Sequence, residues 1–303
     1  MRALVTGGTG FIGSNIALEL INKGWDVLIT GNESEQKLLN FKGKIIHPSF
    51  VGIDWDAIGH VDALFHEAAI NDTQFMDSEE MMRANYTSSK RLFDYVIKNG
   101  CKRIVFATST AVYGDAKAPY IEGKTKPHPL NPYAKSKLKV EKYAMKLAKK
   151  HPDIVIAGLR YCNVYGPREN HKGKRSTMIY QLAQQMMKGD PRIFEFGEQK
   201  RDYIYVKDVV RANLLAIKAK ESCIVNCGSG KATTFNDIIN ILNRVLGTSR
   251  KTVYIKNPYN ANYQSHTECD MALAKEKIGF VPEYAIEDGI KDYHDSGFLV
   301  EKN

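Results

Sequence analysis

Tyr133 and Lys137 in "NPYAKSK" stand four residues apart, so a helix would place both on one face, one turn apart. A phenol ordinarily ionises near pH ~10, too high for a base at neutral pH. An ammonium beside it, or a positively charged ring, favours the phenolate and brings proton transfer within range. A Tyr–Lys pair alone decorates many helix surfaces. Its weight here comes from Ser109 in "VFATSTAVYG", just past an apolar strand, where the active sites of open parallel sheets collect. Near the start of the chain, "VTGGTGFIG" sets Gly7, Gly10 and Gly13 between a strand and a helix. That spacing suits a tight turn, close backbone approach to a diphosphate and close helix–strand packing. A third stretch, "YGPRENHKGKR", carries His171 and Lys172. Read by itself, a charged run bracketed by Gly and Pro is a solvated turn.

Such residues need a scaffold, and the first half of the chain supplies an alternation that builds one. "ALVT", "DVLIT", "DALFHEAA", "RIVFATS" and "IVIAGLRY" are nearly continuous apolar runs. Between them lie amphipathic stretches such as "FIGSNIALELINKG", "SEEMMRANYTSSKRLFDYVIKNG" and "PYAKSKLKVEKYAMKLAKKH". Apolar strands separated by helices describe a parallel sheet covered on both faces. Ile12, Ile16 and Leu20 recur at helical spacing and give the first helix its inward stripe. After Tyr165 the elements shorten. The expected fold is α/β: a Rossmann-like doubly wound parallel sheet with a smaller mixed α/β C-terminal substrate-binding lobe. Residues 1–165 are expected to form the dinucleotide-binding part, with returns to the sheet near 203–228. Residues 166–303 are mainly the substrate lobe, with a cleft between.

A chain of 303 residues can bury such a core, and 43% hydrophobic with 25% charged residues is ordinary for a globular protein. The net charge of +9 calls for an anionic partner. Its lysines are spread out and no DNA- or RNA-recognition motif accompanies them, so phosphates on a cofactor and a substrate fit better than nucleic acid. Five cysteines without CxxC spacing make a poor disulfide framework and point to a reducing compartment. Cys223 and Cys227 flank "IVN" and read as strand packing. The eight histidines form no pair at ligand spacing, so no metal is expected. "MRALVTGG" already reads as strand and turn, no signal peptide fits before it, and no apolar run spans a bilayer. The expectation is a cytoplasmic protein with no membrane partner.

The end of the second strand bears on the cofactor. NAD is ordinarily held there by an acidic side chain on the ribose 2′-hydroxyl. Here "LITGNESEQK" has Gly31 and Asn32 at that place, with Glu33 one residue late and Lys37 placed to neutralise a 2′-phosphate. NADP is the expected cofactor and NAD the alternative; an exposed lysine at a helix start is the bland reading of Lys37.

"TGGTGFIG", Ser109 and Tyr133-x-x-x-Lys137 together resemble the extended short-chain dehydrogenase/reductase family, which modifies nucleotide-activated sugars, and the resemblance runs nearly the full length. It implies that Ser109 bonds the reacting hydroxyl, Tyr133 is the acid/base, and Lys137 binds ribose and tunes the tyrosine. Family dehydratases carry carboxylates directly after the serine; Thr110 and Ala111 stand there here, which disfavours elimination of water. "FHEAAINDT", "RYCNVYGPRENHKG", "FEFGEQKRDYIYVKDV" and "NYQSHTECD" are similar to the branch that inverts C6 of ADP-glycero-manno-heptose. The HKG triplet is the most specific of these motifs, and the resemblance makes Lys172 a second acid/base group rather than part of a solvated turn.

The same resemblance implies cofactor contacts from Phe11, Ile12, Glu67, Ala68, Ala69, Asn85, Val164 and Lys172, and substrate contacts from Asn71, Asn163, Phe194, Arg201 and Tyr263. An Arg–Asp turn and a core tyrosine are the bland readings of Arg201 and Tyr263, and His66 receives no role. Two substrate positions depart from the family: Lys174 stands where some members have Ser, and Gln181 where a His is found. The implied partners are ADP-heptose and further copies of the chain in a homo-oligomer. Another nucleotide-sugar 4-epimerase or a reductase of this family is the alternative enzyme, and a non-catalytic NADP-sensing protein the alternative of another class.

Overall fold

Strands β1 (Arg2–Thr6), β2 (Asp26–Thr30), β4 (Ala63–His66), β5 (Arg103–Ser109) and β6 (Val155–Tyr161) are buried almost end to end. An apolar run without a polar face has to be covered on both sides, and in the computed structural model it is. The structure describes residues 1–31, 44–46, 55–258 and 265–300; Asn32, Lys37 and Tyr263 lie outside the described residues. With β3 (Lys44–Ile46) and β10 (Cys223–Cys227) these strands form a seven-stranded sheet in the order β3-β2-β1-β4-β5-β6-β10. Every pairing in it is parallel. The order reverses between β1 and β4, which opens a crevice at the carboxyl ends of those strands.

Successive strand residues face opposite sides of the sheet. Ala3, Val5, Val27, Ile29 and Phe65 enter one core with Ile16 and Leu20 of α1 (Phe11–Asn22), while Ile12 is half-buried beside it. Leu4, Leu28, Leu64, Ile104 and Phe106 enter the other. There they meet α2 (Ser88–Lys98) through Leu92, Phe93 and Val96, and α3 (Pro132–Lys150) through Val140, Ala144 and Leu147. The helix expected over the segment before α2 is interrupted: Met82–Thr87 winds as a wider π turn.

Beyond β6 come β7 (Asn163–Tyr165), α4 (Met178–Lys188), β8 (Arg192–Phe194), β9 (Lys200–Tyr205), α5 (Val206–Ala216), β11 (Ala232–Thr234), α6 (Phe235–Leu246), β12 (Val253–Ile255), α7 (Ala272–Ile278) and α8 (Ile286–Asp295). β9 pairs with β7 and β11, and β12 with β8. Helix α5 packs in the same core as α1. Among the described residues no helix is long and apolar enough to cross a membrane. One expectation needs correction. Cys162 and Cys269 are joined as a disulfide, although 107 residues separate them. Tertiary approach, with Cys269 bridging to Tyr120, brings them together, and spacing along the chain carries no sign of it. Cys223 and Cys227 are free and buried on β10.

Candidate active site

A cleft of about 1060 Å³ opens at the carboxyl ends of the strands and is walled by β7, β8 and β9 on its far side. Its floor is the glycine turn. Gly7 has φ of +66°, the left-handed region that favours glycine. A Cβ on Gly13 would stand 2.2 Å from the Gly7 carbonyl oxygen, so no side chain fits there. Gly10 caps α1 without a side-chain partner, and the first turn holds no acid. Phe11, Ile12 and Gly13 therefore open a helix whose first amide groups and dipole suit a diphosphate. These donors fit the nicotinamide dinucleotide implied by the sequence. A Cβ on Gly31 would fall 1.9 Å from Thr9 Oγ1, so this backbone admits no carboxylate at position 31.

The chemical centre hangs from β5, β6 and α3. Asn131 accepts from the Ala134 amide (2.8 Å) and, with Pro132 following, starts α3 so that Tyr133 lies in its first turn. The Lys137 ammonium, one turn on, donates to the Ala107 carbonyl (2.9 Å) and lies 5.8 Å from the centre of the Tyr133 ring. Burial pulls Lys137 down to about 8, against the raising charges of Glu67 and Glu141. Burial likewise pushes the Tyr133 phenol up to about 12; Ser109 opposes this and Glu67 adds to it. Within the chain Ser109 favours the phenolate, and the Lys137 ammonium, bonded to the Ala107 carbonyl, stands near the Tyr133 ring.

Beneath α3 lies a buried ion pair. Arg160 donates Nε and Nη2 to the two Glu141 oxygens (2.9 and 2.7 Å), and Thr108 donates to Glu141 as well (2.7 Å). The remaining guanidinium arm reaches the Tyr113 hydroxyl (2.8 Å), which donates to Asn226 (2.8 Å). This fixes the helix of Tyr133 against β5, β6 and β10.

Glu67 lines the cleft and accepts from the Tyr161 hydroxyl (3.0 Å). Burial raises its carboxyl to about 7, while Tyr161 and Lys137 pull it back. Next to it His66 is buried between Thr6 and Ser89, at 2.6 and 2.8 Å, and burial lowers it to about 3. Ala68 and Ala69 line the cleft too, the Ala68 amide donating to Thr6. Asn85 stands behind the cleft wall, next to the lining residue Ala84. Its side chain is buried, accepts from the Ile70 amide and donates to the Ile70 carbonyl and to Ser136 (2.8, 2.9 and 3.0 Å). The π turn aims it at the Glu67–Asn71 loop, which it shapes from behind.

On the far wall stand Asn71, Asn163, Val164, Lys172, Gln181, Phe194 and Arg201. Asn163 donates to the Asp202 carbonyl (3.0 Å), and Gln181 donates to that of Ser176 (2.7 Å). The Arg201 guanidinium lies 5.8 Å from the Phe235 ring centre. Lys174 shares the 3₁₀ segment Asn170–Arg175 with Lys172, and its side chain is not among the described ones. The ammonium of Lys172 stands 5.3 Å from the centre of the Phe11 ring, so the loop meets the start of the cofactor helix. Burial and the Arg175 charge lower Lys172, against the raising charge of Glu169. Arg175, Arg192, Tyr203 and Thr9 also line the cleft and escaped the sequence reading, because none stands in a spacing that marks chemistry. Cys162, Asp202 and Cys269 place their ligand atoms within 4.8 Å of one another. The two sulfurs are bonded together, however, and the carboxylate already accepts from the backbone amides of Ser229, Gly230 and Cys269 and from the Ser229 hydroxyl.

Such a site can exchange a proton with a substrate hydroxyl from two places, Tyr133 beside Ser109 and Lys172 beside Phe11, next to a seat for a dinucleotide. Residues 3–228 match the NAD-dependent epimerase/dehydratase family. Among solved structures, the ADP-L-glycero-D-manno-heptose 6-epimerase of Helicobacter pylori is 36% identical, covers 97% of this chain and 95% of its own, and superposes with a TM-score of 0.87. The UDP-glucose 4-epimerase of Thermotoga maritima, solved with UDP-glucose, is 30% identical over 98% of this chain and 99% of its own, with a TM-score of 0.86. The UDP-glucuronic acid 4-epimerase of Bacillus cereus, solved with UDP-glucuronic acid and NAD, is 25% identical over 99% of each chain, with a TM-score of 0.84.

Proposed function

The chain belongs to the NAD-dependent epimerase/dehydratase family, as a nucleotide-sugar epimerase of the extended short-chain dehydrogenase/reductase type, and from that premise we propose that it inverts C6 of an ADP-glycero-manno-heptose using NADP. A carbon bearing only a hydroxyl has no acidic C–H, so direct deprotonation is closed to it. Held by the Gly7–Gly13 turn, a nicotinamide dinucleotide would supply a reversible hydride acceptor, which would let the carbon pass through a flat ketone and regain hydrogen on its other face. The chain's own residues handle the hydroxyl proton. Tyr133, with Ser109 bonding the same oxygen, takes and returns it in one epimer. In the other epimer the hydroxyl points elsewhere, beyond hydrogen-bond reach of the same base. There Lys172 serves, and its lowered basicity suits a group that must release a proton as well as take one. Lys137 positions the nicotinamide ribose, and Arg201 offers its planar fork to the ADP diphosphate.

The observation that carries this reading is that Tyr133 and Lys172, borne on different elements, line one cleft with the Gly7–Gly13 turn. The HKG triplet and the 36% identity to the Helicobacter enzyme favour the heptose. The lack of an acid at Gly31 and Asn32, where an acidic side chain ordinarily holds the NAD ribose, favours NADP. The test is incubation with ADP-D-glycero-D-manno-heptose, following C6 configuration by NMR, with UDP-glucose and UDP-glucuronic acid in parallel. Inversion at C6 without consumption of added NADPH is expected. C4 inversion of a UDP-sugar with an inert heptose would refute the assignment, and net consumption of NADPH would make the protein a reductase.

A further inference from the structure

Loop 166–177, which carries Lys172, has little regular structure of its own beyond one 3₁₀ segment, so something else must fix it. Glu169 sits at its centre with no exposed surface. One carboxylate oxygen accepts from the Gly166 amide (3.2 Å) and the Thr177 hydroxyl (2.9 Å), and the other from the Thr177 amide (2.7 Å). A single side chain thus closes the loop from its first residue to its last. The Glu169 carbonyl also accepts from the Lys172 amide (2.9 Å), which turns the chain back at the HKG triplet. Outside the clasp, Asn15 of α1 donates to the Pro167 carbonyl (3.1 Å), and the Arg168 guanidinium stands 5.3 Å from the Phe298 ring centre.

We propose that Glu169 is a positioning residue for the second acid/base group, a buried carboxylate that clasps both ends of the loop, holds the Lys172 side chain over Phe11 and sets an opposite charge three residues before it in the same turn. Two arguments support more than a structural role. Burying a carboxylate costs several kcal/mol unless donors and an opposite charge compensate, and the charge acting on it is that of Lys172. A neutral amide of the same size offers one acceptor oxygen to three donors and no charge at all. The groups around the pair agree with this. Lys172 faces Glu169 and Arg175 from its own loop and the Phe11 ring from α1. Glu169 faces the phenols of Tyr165 on β7 and Tyr293 on α8, both raised by burial and then by neighbouring carboxylates, Glu169 among them. Arg175 pushes Lys172 towards the neutral amine and Glu169 holds it back. The balance leaves one group able to serve as acid and as base.

The inference rests on the proposed two-base reading, so its test has a readout apart from turnover. The full-length protein is labelled with an amine acylating reagent across pH, and modification of Lys172 is followed by peptide mass spectrometry. In Glu169→Gln the labelling midpoint of Lys172 is expected to move to lower pH by about one unit or more, the size typical of losing an adjacent opposite charge. Epimerisation is expected to slow about 10- to 100-fold, with its pH profile displaced the same way, and Glu169→Asp to keep the midpoint near wild type. An unchanged midpoint in a folded Glu169→Gln protein overturns the proposal. Should that variant unfold, adding Lys172→Met is expected to recover part of the lost Tm, because removing both charges costs less than stranding one; no recovery also overturns it. Full activity of Lys172→Met with a displaced midpoint in Glu169→Gln would defeat the two-base reading and leave the clasp standing.

Discussion

The supports beneath Tyr133 and Lys172 differ in kind. Tyr133 rides the first turn of a 19-residue helix, capped by Asn131 and bolted to the sheet by the buried Arg160–Glu141 pair. Lys172 rides a loop held by one carboxylate and by contacts with α1 and Phe298. The first support is shared with the hydrophobic core, so damage there is expected to appear as lost stability. The second is local, and damage there is expected to appear as lost chemistry in a protein that still folds. On the proposed two-base reading an epimerase gains from the contrast, since one proton site stays fixed while the other can be tuned separately.

The sharpest division comes from removing the two proposed acid/base groups themselves. Tyr133→Phe and Lys172→Met should each lower kcat by roughly 10²–10⁴-fold, the usual worth of general acid/base catalysis, with cofactor content near wild type; Tm should stay near wild type in Tyr133→Phe and fall in Lys172→Met, which leaves the buried Glu169 without an opposite charge. Conversion of ADP-heptose followed by NMR, beside thermal melts, checks both. A wild-type rate in either variant removes that side of the comparison. Arg160→Met should do the reverse. It strands Glu141 without its cation, which typically costs about 3–5 kcal/mol, and urea unfolding should register the loss, whereas His171→Ala in the loop should change stability by no more than about 0.5 kcal/mol.

A smaller effect comes from pH, through the buried groups beside the helix-borne centre. His66 is held neutral, with burial lowering it from 6.5 to about 3. As pH falls through 6.5 the unfolded chain takes up this proton and the folded chain does not, so stability drops across that window. Glu67 works the other way. Its folded value of about 7 lies above the ordinary 4.5, so between those values the folded state binds the extra proton and gains as pH falls. The difference between wild type and His66→Asn isolates the histidine. From pH 6.5 to 4.5 wild type should lose about 2–3 kcal/mol more than the variant. Equal losses would mean that the ring is protonated in the folded protein.

The same contrast decides what could be read from the sequence. The sheet was legible because doubly covered strands need unbroken apolar runs, as in "ALVT" and "RIVFATS". The Tyr133–Lys137 pair was legible because a helix turns a spacing of four into proximity. Lys172 was not legible by local rules, for its surroundings have a solvated composition. It became a candidate only through the resemblance carried by "HKG", and the proposed clasp by Glu169, on the Gly166 and Thr177 amides and the Thr177 hydroxyl, has no sequence signature. The bonds of Asn85 to Ile70 were not legible either, since they come from a π turn that leaves the helical pattern of the sequence intact. The Cys162–Cys269 link and the crowding of Gly31 by Thr9 are tertiary facts that no spacing encodes.

The finest test of the two supports is at the helix cap. Asn131 satisfies the Ala134 amide, which otherwise has no partner in the first turn, and losing such a cap costs about 1 kcal/mol. Tyr133 lies inside that turn, so fraying displaces the phenol from Ser109 before it disturbs the rest of α3. Asn131→Ala should therefore lower Tm slightly and slow epimerisation a few-fold, and Asn131→Asp, which can accept the same bond, should restore both. Lys172 labelling should be unmoved in either variant, because the clasp bonds of its loop, from Gly166 and Thr177 to Glu169, do not involve the cap. A displaced Lys172 midpoint in Asn131→Ala would show the two proton sites to be mechanically coupled, and the division between core-borne and loop-borne chemistry would not hold.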